Sequence, residues 1–248
     1  MLTLENITKV FHAGTVNART ALDGVNLHLK KGEFVTLVGG NGSGKTSLLN
    51  TVSGGFLADG GRILLDGENI TFLPEHKRAR YIGRLFQDPM KGTAPNMTIA
   101  ENLSLAYRQA GDRKFQIGIG KKQLAFFREQ LAQLNLGLED RMKTNMGLLS
   151  GGQRQAVTLL MATVCTPKLL MLDEHTAALD PATAEKILRL TEKIIKKEGL
   201  TALMVTHDIP SALALGSRTI MMKDGKIILD ASGEERENLT VEKLIKLY

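Results

Sequence analysis

From Met1 to Val10 apolar and polar residues alternate at a period of two, the pattern of a half-buried strand. Val25–Lys30 repeats it. Phe34–Val38 is different: a continuous apolar run between Gly32 and Gly39, as a central strand covered on both faces requires. Lys45–Val52 then reads as a helix, and Arg62–Leu65, followed by the turn pair Asp66-Gly67, as a hairpin-like strand. Tyr81–Phe86 is another strand. From 88 to 147 the texture changes. Thr98–Gln109 and Lys122–Asn135 space Ile, Leu, Ala and Phe at helical intervals, and the glycine-rich, basic stretch Gly111–Gly120 between them carries weak signals. After Ser150 helix and strand alternate again: helix Gln153–Val164, strand Leu169–Leu172, helix Pro181–Lys197, strand Thr201–Thr206. Pro181 suits a first helical turn, where its missing N–H costs nothing. Thr219–Met222 and Lys226–Asp230, joined at Asp224-Gly225, form a hairpin pattern, and Val241–Tyr248 reads as a short helix.

These elements fit a chain of 248 residues, with 43% hydrophobic and 23% charged side chains, that buries one core or one core with a small satellite. No apolar run is long enough to span a bilayer, which takes about 18 residues or more. The N-terminal residues lack the basic-then-apolar layout of a secretory signal. The single cysteine, Cys165, excludes an internal disulfide; beside the apolar Leu159–Val164 it is expected to pack as a small core residue. The net charge of +6 is spread out, apart from Lys77-Arg78-Ala79-Arg80 and Arg113-Lys114 with Lys121-Lys122. Neither cluster is interleaved with aromatics, so both read as solvated faces and no nucleic-acid partner is expected.

The chemistry starts at Gly39-Gly40-Asn41-Gly42-Ser43-Gly44-Lys45-Thr46, which fits the phosphate-binding pattern G-x-x-x-x-G-K-[ST] in the strand–loop–helix setting that pattern needs. Its glycines let backbone N–H groups close around phosphate oxygens, Lys45 reaches the β- and γ-phosphates, and the hydroxyl of Thr46, with Ser47 beside it, serves Mg²⁺. The strand Leu169–Leu172 ends in Asp173-Glu174. Asp173 is the expected Mg²⁺ ligand, and Glu174 the general base that polarises the attacking water. Gln87 closes the Tyr81–Phe86 strand, where an amide can meet the metal or the water. His207 closes the Thr201–Thr206 strand, facing the crevice in which open α/β sheets bind ligands. Ser150, Gly151 and Gly152 precede a helix and offer a second anion-binding end.

With Leu149-Ser150-Gly151-Gly152-Gln153 added, the chain resembles the nucleotide-binding subunits of ATP-binding-cassette (ABC) transporters over nearly its whole length. The P-loop Gly39–Thr46, the Q-loop residue Gln87, the signature Leu149–Gln153, the Walker B pair Asp173 and Glu174, the D-loop Ala178-Leu179-Asp180 and the switch His207 stand in the family's order. The resemblance implies an α/β P-loop NTPase core of ABC type with an N-terminal antiparallel β subdomain and an inserted α-helical lobe. It implies a single ABC ATPase domain over 1–248, the core being 1–87 and 148–248 and the lobe 88–147. It also implies ATP and Mg²⁺ as ligands and an aromatic stacked on adenine; Phe11 is the candidate, with packing on the core as its rival reading. His175 stands where many members have proline, and the loop after Glu174 is expected to be less constrained for it.

In this family the signature of one subunit closes over ATP held by the P-loop of another. The expected partners are therefore a second cassette, identical or similar, and a separate polytopic membrane permease on the cytoplasmic face of the membrane. A free-standing cassette of this size resembles importer subunits, which implies an extracytoplasmic solute-binding protein. The phrases Phe86–Met90, Leu148–Gln155 and Asp173–Pro181 resemble a bacterial subgroup linked to aromatic amino acid uptake, such as tryptophan. Two alternatives stay open: a lipoprotein-release or mechanotransmission ATPase, and a soluble ABC ATPase of the iron–sulfur-assembly type.

Overall fold

The computed structural model describes residues 1–109 and 118–248. Most of the Gly111–Gly120 stretch, with the pair Arg113-Lys114, lies outside the described residues.

In chain order the elements are β1 Leu2–Phe11, β2 Arg19–Leu29, β3 Phe34–Val38, α1 Lys45–Ser53, β4 Gly60–Leu65, β5 Glu68–Asn69, α2 Glu75–Arg78 and β6 Ile82–Leu85. Next come α3 Ile99–Gln109, α4 Lys121–Ala132, α5 Gly151–Thr163, β7 Leu169–Asp173, α6 Pro181–Glu198 and β8 Thr201–Val205. The chain closes with α7 Ile209–Ala214, β9 Arg218–Lys223, β10 Lys226–Ser232, α8 Gly233–Glu237 and α9 Val241–Ile245.

Two sheets result. β2-β1-β4-β5 is antiparallel throughout. The six-stranded sheet runs β10-β9-β3-β8-β7-β6, parallel except for the β9–β10 hairpin, whose Asp224 and Gly225 both take positive φ (48° and 77°) as a two-residue Asp-Gly turn demands. Every residue of β3, β7 and β8 is buried, which accounts for their unbroken apolar runs. Between the sheets lies α1. Leu48, Leu49 and Val52 share one apolar cluster with Leu4, Ile7 and Leu27 of the antiparallel sheet and with Val35, Leu37 and Val205 of the parallel one. Each such side chain contributes roughly 1.5–3 kcal/mol by burial. A second cluster joins α3 and α4 to α5 and α6 through Leu103, Phe127, Leu131, Val157 and Ile187.

β2 is longer than its alternation predicts, starting at Arg19 instead of Val25. The ladder slips between Ile7 and Lys9, whose partners are Val25 and Leu22, so Asp23-Gly24 is absorbed as an irregularity inside the strand. Three short helices, α2, α7 and α8, carry too few residues to show a period, and α9 ends at Ile245, three residues short of expectation. α4 stops at Ala132, three residues short of expectation, and α5 begins two residues earlier than expected, at Gly151. Cys165 is not a core residue. It lies half-buried on the wall of a cleft, where its Sγ meets the Tyr107 carbonyl at 3.6 Å.

One buried charge ties the layers together. Arg78, read from sequence as part of a solvated basic run, is 1% exposed. Its guanidinium donates to the carbonyls of Thr51 (2.8 Å) and Val52 (2.9 Å) at the end of α1, and to those of Leu73 (2.7 Å) and Thr71 (2.8 Å). A cation over the C-terminal carbonyls of a helix is favourable to its dipole. Arg78→Ala leaves those carbonyls without their donor, and we expect a loss of about 3–5 kcal/mol in urea unfolding. A loss below about 1 kcal/mol would show that water replaces the guanidinium freely.

Candidate nucleotide-binding site

β3 ends at the loop 39–44, and the loop ends in α1, so the first N–H groups of α1 point into whatever the loop encloses. Gly39, Gly42 and Gly44 hold φ of 152°, 78° and 106°. At Gly39 a Cβ would come within 2.3 Å of the Met222 carbonyl, and at Gly44 within 2.6 Å of the Ala21 carbonyl, so side chains there would collide with backbone. Lys45 folds over the loop, its Nζ donating to the carbonyls of Gly39 (2.7 Å) and Gly40 (3.0 Å). Ser43 Oγ is buried without a hydrogen-bond partner.

A cleft of 840 Å³ brings together most of the residues singled out from sequence. Asn41, Gly42, Ser43, Gly44, Lys45, Thr46 and Ser47 form its floor, Asp173 and Glu174 one wall, Gln87 another, and Phe11 an edge. Phe11 is half-buried and makes a T-shaped contact with Phe56, with centroids 5.2 Å apart at 82°, and Lys9 Nζ lies over its ring, 5.7 Å from the centroid. Glu174 has a positive φ of 45°, uncommon for a side chain of its kind. That kink turns the chain at the end of β7, where the Glu174 N–H is held by the Val205 carbonyl at 3.0 Å. His207, just beyond β8, lies outside the cleft lining but within reach of it, its Nδ1 being 3.5 Å from Glu174 Oε2.

The electrostatics are those of charges held short of compensation. Burial raises the Asp173 pKa, and the nearby Glu174 pushes the same way, against the pull of Arg84 and Lys45. Burial lowers that of Lys45, against Glu174 and Asp173. A ligand carrying both a polyanion and a divalent cation would relieve both. The donors on hand, a carboxylate, the Thr46 hydroxyl and the Gln87 amide, are hard oxygens of the kind Mg²⁺ takes in small number, leaving positions for phosphate and water. Among the described residues no cluster of three His, Cys, Asp or Glu offers a self-sufficient metal cage.

Ser150, Gly151, Gly152, Gln153 and Asp180 are not in the cleft lining. Ser150 and Gln153 form a capping box that starts α5: Ser150 Oγ accepts from the Gln153 N–H and Gln153 Oε1 from the Ser150 N–H, each at 3.3 Å. Asp180 caps α6, accepting from the Thr183 N–H at 3.0 Å; hydrogen bonds from the Thr183 side chain first, and from its N–H, hold the carboxyl below the usual range. The two helix starts touch. A Cβ on Gly151 would lie 3.2 Å from Leu179 Cδ2, and one on Gly152 only 2.3 Å from Thr183 Cγ2.

Three residues escaped the sequence reading. Arg84 joins Asp173 (3.4 Å) to Asn50 (2.8 Å) and Ser53 (3.0 Å) and stacks on Phe86, 4.5 Å from the ring centroid. Tyr248 accepts a hydrogen bond from Gly39, although burial is the larger influence and raises its phenol pKa. Arg19 reaches the P-loop from β2. Only β-register and chain closure bring these to the site, and neither leaves a local signature.

His175 corrects an expectation. Instead of loosening the loop it plugs it: the ring is 3% exposed, its pKa is pushed down to about 4 by burial, and Nε2 sits 3.2 Å from Thr191 Oγ1. That hydroxyl donates to the Ile187 carbonyl (2.8 Å), so it accepts from histidine and the proton rests on Nε2.

The geometry is that of a P-loop nucleotide-binding α/β fold, and the comparisons agree. The ABC transporter family matches residues 22–177. Clostridioides difficile has a tyrosine transport ATP-binding protein 41% identical over 252 residues, covering all of this chain and 98% of that one. A spermidine/putrescine import ATP-binding protein of Mesoplasma florum is 33% identical over 250 residues, 99% of this chain and 66% of that protein. Among solved structures, a dimeric post-hydrolysis state of the ATP-binding cassette MJ0796 bound to ADP and phosphate matches with a TM-score of 0.80 at 32% identity, covering 94% of this chain and 98% of that chain. The chain belongs to the ABC transporter family, and its fold is that of an ABC ATPase cassette.

Replacing the hydroxyl that holds His175, as in Thr191→Val, strands a buried ring N–H. We expect about 1–3 kcal/mol of lost stability in urea unfolding, and an unchanged midpoint would free His175 from that bond.

Proposed function

We propose that the chain is the ATP-hydrolysing subunit of an importer, in which two cassettes close on ATP and drive a separate polytopic permease. One observation carries the reading: the cleft holds the P-loop, Asp173 and Glu174, while the signature residues Ser150–Gln153 start another helix outside it. The chain therefore carries two half-sites. A second copy completes each cleft by laying the start of its α5, with the Gly151 and Gly152 N–H groups, against the γ-phosphate. ATP then favours the closed pair, and hydrolysis removes that preference. The dimeric state of the MJ0796 cassette supports this.

The residues divide the work. Phe11 stacks on the adenine, and the loop Gly39–Gly44 with Lys45 cradles the phosphates. Thr46, Gln87 and Asp173 would hold Mg²⁺, with Ser47 beside them; bound there, the ion neutralises charge developing on the phosphates. Glu174 takes a proton from the attacking water. His207, 3.5 Å from Glu174, orients it and meets the γ-phosphate. Asp180 carries the state of its own α6 to the partner.

The power stroke leaves through a second cleft of 620 Å³, between β6 and helices α3 and α5, lined in part by Leu105, Met161 and Cys165. Arg84 and Phe86 line both clefts, so the residues just before Gln87 touch the nucleotide side and the permease side at once. Among the described residues no helix is long and apolar enough to cross a membrane. The cassette sits on the cytoplasmic face of the membrane, as one domain with its helical lobe at 88–147. Likeness to the tyrosine transport protein supports an amino acid as cargo, brought by an extracytoplasmic solute-binding protein.

Two experiments test this. Tagged protein purified from detergent-solubilised membranes of its own host should bring a polytopic permease with it; partners that are all soluble would overturn the transporter reading. Glu174→Gln should lower ATP turnover by roughly 100-fold or more and accumulate an ATP-dependent dimer on gel filtration. Turnover at the wild-type rate would remove Glu174 from the chemistry.

A further inference from the structure

Arg19 is a cation of the nucleotide cleft that belongs to no motif. Arg19 opens β2, and in the antiparallel ladder its partner is Phe11. Side chains directly opposite in such a ladder project to the same face of the sheet. Arg19 and Phe11 both line the cleft. From there Arg19 reaches across to the P-loop, its Nη2 donating to the Gly42 carbonyl at 3.3 Å.

That contact does little for the loop. Ser43 N–H to Gly40 O (3.2 Å), Gly225 N–H to Ser43 O (3.0 Å) and the two Lys45 bonds already shape it. It does little for the arginine either: a long bond to a neutral acceptor leaves a full charge facing the cleft. Other arginines differ. Arg62, Arg84 and Arg218 pair with carboxylates, and Arg78 spends its donors on four carbonyls.

We propose that Arg19 binds nucleotide directly, exchanging the Gly42 carbonyl for the sugar–diphosphate stretch of a nucleoside diphosphate. The inference rests on the nucleotide reading of the cleft. With a base on Phe11 and phosphates over the N-terminus of α1, the ribose and first phosphates must cross the gap between them. The gap is where Arg19 lies. A guanidinium offers a planar fork matched to phosphate oxygens and keeps its charge at any physiological pH. Because ATP and ADP share this stretch, Arg19 tightens both and leaves discrimination of the γ-phosphate to the other residues.

The test is calorimetric binding of ADP and of adenosine to wild type, Arg19→Ala, Arg19→Lys and Phe11→Ala, at low and high salt. Arg19→Ala should weaken ADP by roughly 10- to 100-fold, flatten its salt dependence and leave adenosine within about twofold. Arg19→Lys should recover part of the loss, whereas Phe11→Ala should weaken both ligands. Unchanged ADP affinity in Arg19→Ala would overturn the proposal. So would an equal loss for ADP and adenosine, which would make Arg19 a brace for the cleft. A wild-type protein that fails to bind ADP at all would instead overturn the nucleotide reading, and this proposal with it.

Discussion

The confinement of α1 between two sheets is the constraint on which the rest is built. Its apolar face packs on both sheets through Leu48, Leu49 and Val52, so the helix can neither roll nor slide without exposing one of them. Its N-terminus is the end of the phosphate-binding loop, and its C-terminal carbonyls are held by a buried guanidinium. One end of the helix thus presents its free N–H groups to the cleft while the other is neutralised from inside the protein. The antiparallel sheet, which carries neither Asp173 nor Glu174, earns its place by covering α1 and by presenting Phe11 and Arg19 at the cleft.

What was legible in the sequence follows from what is local. β3, its glycine loop and α1 are consecutive, and their chemistry depends on spacings of a few residues, so Gly39–Ser47 could be read directly. Asp173 and Glu174 announce themselves at the end of an apolar run for the same reason. The capping box at Ser150 and Gln153 is equally local, yet apolar spacing alone missed it, and it starts α5 at Gly151 instead of the expected Gln153. The misreadings share the opposite property. Arg78 lies in a run of basic residues that looks solvated, and only the arrival of α1 and the segment around Thr71 turns it inward. His175 looked like a loosening substitution because its partner Thr191 belongs to a helix that folds over it later in the chain. Arg19 and Phe11 are neighbours only through β1–β2 pairing, with an irregular ladder beyond them that no periodicity announces.

Separation of the Ser150–Gln153 segment from the cleft has its own internal logic. The starts of α5 and α6 lie against each other, with Gly151 beside Leu179 and Gly152 beside Thr183. Asp180 is fixed by its bond to the Thr183 N–H, and Ser150 by its box with Gln153. Signature and D-loop therefore make up one stiff surface, distinct from the cleft, while Arg84 and Phe86 form the seam between the cleft and the neighbouring groove.

The contact at Gly152 also bears on how this sequence can change over generations. Gly152 does not need glycine for its backbone angle; it needs glycine because the Thr183 methyl occupies the place of its Cβ. Residues 152 and 183 are thus alleles of a single lock. Within this chain's own packing, alanine at 152 becomes tolerable once 183 loses its branch, and a lineage reaches that pair most readily by changing 183 first.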